Sequence, residues 1–270
     1  MAFFFAVGGL GGILGSVLPG FLAVQVGSEN FLYMGIPFYL VLVASFLSLL
    51  SYSDESIKNN WETKKGSIQE GVKLIIKSKT LVFILLIVVF MQLASTILYY
   101  QVNQTVEMTI LDKDLRTEFF GKILGLTNAI TIVLQCIGSF LLVYFLGLRL
   151  SHLCIPCIFC MNALGCLIFP VFSMVSYAYI TIKAFDFSIF GILKEMLYIP
   201  LSREEKFQAK AFIDIFAYRS SKALASLLIL AFQFVQAPLS AFSGLLALIC
   251  VGWCWVATRM PQEEKKLYHS

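Results

Sequence analysis

Long apolar runs, each bounded by a short polar break, repeat along the whole 270-residue chain. The runs show no strict alternation of apolar and polar positions. They therefore read as helices rather than barrel strands. A helix needs about 20 mostly apolar residues to cross a bilayer. Eight runs reach that length, roughly 3–26, 30–52, 79–101, 119–146, 150–172, 174–197, 211–236 and 239–259. The fourth is long enough to tilt or to project beyond the bilayer. The pattern predicts an all-α integral membrane protein with about eight transmembrane helices.

One connection differs from the rest. Residues 53–78 form a charged linker that holds Lys58, Lys64, Lys65, Lys73 and Lys77. Within it, Ile68, Val72, Leu74, Ile75 and Ile76 fit a short amphipathic helix lying against the headgroups. The linker divides the chain into two helices over 1–52 and six over 79–259, followed by a tail at 260–270.

Composition supports the membrane reading. The chain is 59% hydrophobic and 13% charged, against about 45–50% and about 25% in soluble domains. Basic residues concentrate on alternate connections. Arg149 precedes the fifth run, Arg203, Lys206 and Lys210 the seventh, and Arg259, Lys265 and Lys266 follow the eighth. The opposite connections hold Lys113 and Arg116. By the positive-inside rule, both termini are expected in the cytoplasm, at a bacterial inner membrane. The opening MAFFFAVGGLGGILG lacks a positively charged n-region, so it is not expected to be a cleaved signal peptide. A span that begins almost at residue 1 predicts a chain starting in the middle of a larger fold.

The sixth run carries charge where a spanning helix should have none. It reads YAYITIKAFDFSIFGILKEMLY from Tyr177 to Tyr198 and holds Lys183, Asp186, Lys194 and Glu195. A charge at bilayer depth costs roughly 2.5–3.5 kcal/mol on insertion scales, so such groups face a bundle interior or a water-filled cavity. On an ideal helix Lys183, Asp186 and Lys194 share one stripe with Phe190. A polar pathway is one reading of that stripe. A structural Lys183–Asp186 pair at i,i+3 is the other. The seventh run adds Asp214, Arg219 and Lys222, with Lys210 at its edge in a position to snorkel. Asp214 could pair with Lys194 or Lys183. Lys210 aside, the four cations Lys183, Lys194, Arg219 and Lys222 against the three carboxylates Asp186, Glu195 and Asp214 suit an anionic substrate.

Other features carry less chemistry. Gly8 and Gly12, and Gly11 and Gly15, stand four residues apart in the first run, a spacing for close helix packing. Pro19 is expected to kink that helix's end. Asn128, Gln135 and Ser139, flanked by Thr131, form a polar stripe on the fourth run. Such a stripe either glues helices or lines a cavity. Cys154, Cys157 and Cys160 have iron–sulfur-like spacing but lack a fitting fourth ligand, and the reading as small packing residues is preferred. No metal, cofactor or disulfide framework is expected. His152 and His269 form no catalytic cluster, so the chain is not expected to be an enzyme.

The sixth and seventh runs resemble the ATP/ADP translocase family. The resemblance rests on Lys183-Ala-Phe-Asp186, on Lys194-Glu195-Met-Leu-Tyr198-Ile-Pro200-Leu, on Lys206, on Ala209-Lys210-Ala-Phe-Ile-Asp214, and on Tyr218-Arg219-Ser-Ser-Lys222. It is densest over 180–225. The glycine-rich first run and the Tyr-Gln pair at Gln101 are similar too. Where relatives often carry an acidic residue before that pair, this chain has Tyr99. The family comprises nucleotide transporters of intracellular bacteria and plastids, with relatives in the major facilitator superfamily.

The resemblance implies a twelve-helix fold of two halves working by alternating access. This chain would correspond to its C-terminal two-thirds, apparently truncated at the N-terminus. It further implies that Lys183, Lys194, Arg219 and Lys222 hold an anionic substrate, such as ATP or ADP. Asp186, Glu195 and Asp214 would form charge pairs with them that change with state. Two alternatives remain. One is a major facilitator carrier of another small molecule. The other is a non-transporting remnant, or a partner subunit completed by the missing helices or by another chain. Beyond the lipid bilayer and such partners, nothing suggests nucleic acid.

Overall fold

The computed structural model describes residues 2–52 and 74–260, apart from the side chains of residues 2–10, 32, 52, 139, 203, 204 and 207. The remainder of the charged linker, with Ile68 and Val72, and the tail from 261 lie outside the described residues. The protein is all-α. Its helices are α1 (Ala2–Val26), α2 (Ser28–Tyr52), α3 (Lys79–Thr109), α4 (Lys113–Val133), α5 (Ser139–Ile168), α6 (Phe172–Phe185), α7 (Gly191–Leu197), α8 (Arg203–Ala211), α9 (Tyr218–Phe234) and α10 (Leu239–Thr258). Wider π-helical turns at Leu134–Gly138, Asp186–Phe190 and Phe212–Ala217 join α4 to α5, α6 to α7, and α8 to α9 without a break.

Short polar residues set several helix starts. The Ser78 and Asp112 side chains accept from the amides of Leu81 and Leu115, which satisfies backbone donors that have no helical partner. Ser202 and Glu205 form a reciprocal capping box at α8. Gly27 (φ 85°) ends α1 in the left-handed region, and its amide donates to the Ala23 carbonyl at 2.9 Å. Gly147 (φ 72°, ψ 165°) is the one non-helical residue inside α5, so the chain bends between Leu146 and Leu148. That bend separates the fourth and fifth runs where the polar break predicted it. α1 continues through Pro19 to Val26.

Six helical segments among the described residues are long and apolar enough to cross a membrane, by length and composition. They define an all-α membrane protein. Two of the eight runs expected from sequence fall outside these six. α1 is 25 residues long, but only its Gly11–Val26 part lies among the residues whose side chains are described. The α6–α7 rod is continuous through its π turn but carries four charges, Lys183, Asp186, Lys194 and Glu195.

α3 is the axial helix. It packs against α6, α7, α9, α10 and the third π turn, and its Ile84, Ile87, Met91, Ile97 and Leu98 have no exposed surface. Trp253 on α10 takes Phe159 of α5 and Phe190 of the second π turn edge-on, at 5.8 and 5.9 Å between ring centres. Ile75, in a single helical turn over 74–77, is buried in the same core, whereas Ile76 is exposed. Lipid is as apolar as leucine, so helices associate in it through close packing and hydrogen bonds rather than by leaving water.

The crossing of α1 and α4 shows this directly. A Cβ on Gly20 would stand 2.8 Å from the Lys122 nitrogen and 2.9 Å from the Gly121 carbonyl carbon. The two backbones therefore touch. Asn128 Nδ2 donates to the Gly12 carbonyl at 2.9 Å. The packing stripe runs through Gly12, Ser16 and Gly20 on α1. Gly11 and Gly15, expected at the contact, have nothing within 4 Å. At the end of the crossing, the Ser28 amide donates to Asp114 at 2.8 Å and Lys113 meets Glu29 at 2.7 Å. Among the described residues α2 packs mainly on α1 and, slightly, α4, and leaves most of its apolar side chains exposed.

Candidate functional site

The charged residues of the sixth and seventh runs gather where the π turns lie. A π turn holds one residue more than an α turn, so residues beyond it are rotated by about 100° from their ideal-helix positions. Asp186 opens the second π turn and Asp214 lies inside the third. Gln135, inside the first, donates to the Phe187 carbonyl at 2.7 Å and so ties the first turn to the second.

Two ion pairs link α7 to the next helix. Lys194 Nζ meets Asp214 Oδ1 at 2.7 Å, with both side chains largely covered, at 18% and 28% exposure. Lys210 Nζ meets Glu195 Oε1 at 2.7 Å. Lys210 is therefore a partner of Glu195 as well as a surface cation. Tyr198 is buried, and its hydroxyl has no hydrogen-bond partner among the described residues. It lies within electrostatic range of Asp214 and Glu195.

Lys183 and Asp186 do not form a direct ion pair. They interact at longer range, within a group that includes Lys222 and Lys194. The Lys183 ammonium instead sits over Phe187 at 5.5 Å and Tyr99 of α3 at 5.9 Å. Lys222 sits over Tyr218 at 4.5 Å. A cation on an exposed ring gains about 0.5–1 kcal/mol, whereas a charge-assisted hydrogen bond is worth about 1.5–3 kcal/mol. Neither lysine forms a direct ion pair among the described residues.

Arg219 is exposed and is joined to no other member of the cluster among the described residues. Phe190 leaves the expected charged stripe. It is buried against Trp253, because the π turn rotates it into the core. The polar stripe on α4 splits into two helix contacts, Asn128 to α1 and Gln135 to the second π turn. Ser139's side chain lies outside the described residues, and Thr131 is buried.

Sequence reasoning missed the aromatic rim of Tyr99, Tyr179 and Phe187. Tyr99 and Tyr179 lie 6.1 Å apart between ring centres. The only available signal was the placement of Tyr99 and Phe187 beside polar or charged neighbours. A polar bridge farther along α3 also escaped notice. Gln101 Nε2 donates to Ser243 Oγ of α10 at 2.6 Å in a buried setting.

The fold and this cluster together define a membrane protein that holds charge inside apolar helices. Comparison with known proteins narrows the class. Residues 176–263 match the family model described as TLC ATP/ADP transporter. That segment runs from within α6 past α10 and contains every charged member of the cluster. The chain is also similar to ADP,ATP carrier protein 1 of Chlamydia muridarum (strain MoPn / Nigg), 35% identical over 82 residues. Those residues are 29% of this chain and 16% of the carrier's length. Both descriptions are of transporters, and neither is of an enzyme. No solved structure matches.

Proposed function

We propose that this protein belongs to a secondary transporter that moves a nucleotide or another organic anion by alternating access. The observation that carries this reading is the coincidence of the TLC match with the charged cluster. In this reading eight helices span the membrane. α1 and the α6–α7 rod complete the set, both termini face the cytoplasm, and the chain corresponds to the C-terminal two-thirds of a twelve-helix major facilitator fold.

Lys183 and Lys222, which rest on rings rather than carboxylates, are the first contacts for an anion. Arg219 joins them from the exposed face of α9. Lys194 is released to substrate only when its pair with Asp214 opens. Glu195–Lys210 and Lys194–Asp214 hold α7 to α8 and to the third π turn in the state described here. Asp186 balances the cations in the absence of substrate.

The test is uptake of radiolabelled ATP and ADP into intact cells that express the chain with and without its upstream coding sequence. Competition by unlabelled ATP defines the substrate class. K183A and R219A in the transporting form are expected to abolish uptake while membrane insertion stays normal. Normal uptake in both variants would overturn the site assignment.

A further inference from the structure

α5 and α10 pack along much of their length, and they bring two thiols together. Cys157 Sγ of α5 lies 3.8 Å from Cys254 Sγ of α10. Cys157 is exposed on the outer surface and Cys254 is partly covered. Cys160 lies within electrostatic range of Cys254, and Cys250 is a further neighbour. No group of three or more metal-ligating side chains forms among the described residues. The chemistry open to the pair is therefore that of two thiols.

We propose that Cys157 and Cys254 are a redox-sensitive dithiol that closes to a disulfide and staples α5 to α10. The sulfurs need to approach by about 1.8 Å from their present 3.8 Å to reach the usual bond length of about 2.05 Å. Cys157 lies ten residues beyond Gly147, or about 15 Å along the helix, which is about half the hydrocarbon thickness. The fitting oxidant is therefore one that resides in or crosses lipid, a hydroperoxide. One thiol attacks the peroxide oxygen and becomes a sulfenic acid as an alcohol leaves. The second thiol attacks that sulfur and expels water. In total, two thiols and one hydroperoxide give one disulfide, one alcohol and one water. A dithiol reductant reverses the step by exchange.

The experiment treats membranes containing the full chain with an organic hydroperoxide, counts alkylatable cysteines and maps linked peptides. The expected result is a fall from seven free cysteines to five, a linked Cys157–Cys254 peptide pair, and full recovery with dithiothreitol. C157S and C254S each abolish the link, and C166S retains it. The wild-type result does not depend on the folding of any variant. Oxidation of Cys157 to sulfinic acid without a link, a link through Cys160 or Cys250 instead, or seven thiols remaining under conditions that oxidise an exposed control thiol would each overturn the proposal. None of these outcomes depends on whether the chain transports a nucleotide.

Discussion

Alanine at Gly20 or Gly121 tests the α1–α4 crossing against a control built into the same helix. At Gly20 the new methyl would sit 2.8–2.9 Å from backbone atoms of Lys122 and Gly121, which cannot rotate away. Carbon contacts relax at about 3.5–4.0 Å, so the helices must part by nearly 1 Å. The Asn128–Gly12 hydrogen bond, 2.9 Å long, stretches with them. Overpacking of this kind costs about 1–3 kcal/mol. Replacing glycine by alanine inside a helix also returns about 0.5–1 kcal/mol. That gain applies equally to Gly11 and Gly15, which have open space around them. G11A and G15A should therefore be neutral or slightly stabilising, and G20A and G121A should fall about 1–3 kcal/mol below them. Unfolding in mixed micelles with increasing dodecyl sulfate measures the difference. Equal midpoints for all four variants would refute the close crossing.

Three further outcomes follow from the packing and the cluster. Reversing the pair as K194D together with D214K should recover stability lost in either single variant, with a coupling of about 0.5–3 kcal/mol in a double-mutant cycle, and strict additivity would show that the pair is not formed. W253A empties the junction of α5, the second π turn and α10, and should cost about 3–5 kcal/mol in the same micelle unfolding assay; a loss below 1 kcal/mol would place Trp253 outside the core. Q101L strands the Ser243 hydroxyl and should destabilise by about 0.6–1.7 kcal/mol. Adding S243A should then bring no further loss, whereas an additional, additive loss would argue against the bridge.

The helices were legible because length and apolarity suffice to define them, and Gly147 showed its break through the polar residues beside it. The pairing of Lys194 with Asp214 was among the alternatives that charge alone allowed. Side-chain direction was less legible. Phe190 shares a stripe with Lys183 on an ideal helix, yet it packs on Trp253, because a π turn between them changes the phase and leaves no mark in the hydrophobic pattern. The same limit explains the glycines. Sequence shows that Gly11, Gly12 and Gly15 could each support a close approach, but only the helix's rotation against α4 selects Gly12 and Gly20. Tyr99 and Lys183 lie on helices far apart in sequence, so their contact had no local signature.

The bond between Gln101 and Ser243 spans 142 residues, and this has a consequence for biosynthesis. At about 5–20 residues per second, the amide group of α3 is made roughly 7–28 s before its partner. Through that interval α3 must reside in the membrane, or in the insertion machinery, with its polar side chain unanswered. A factor that shelters half-built helices would therefore find in α3 the longest wait for a hydrogen-bond partner among the described residues.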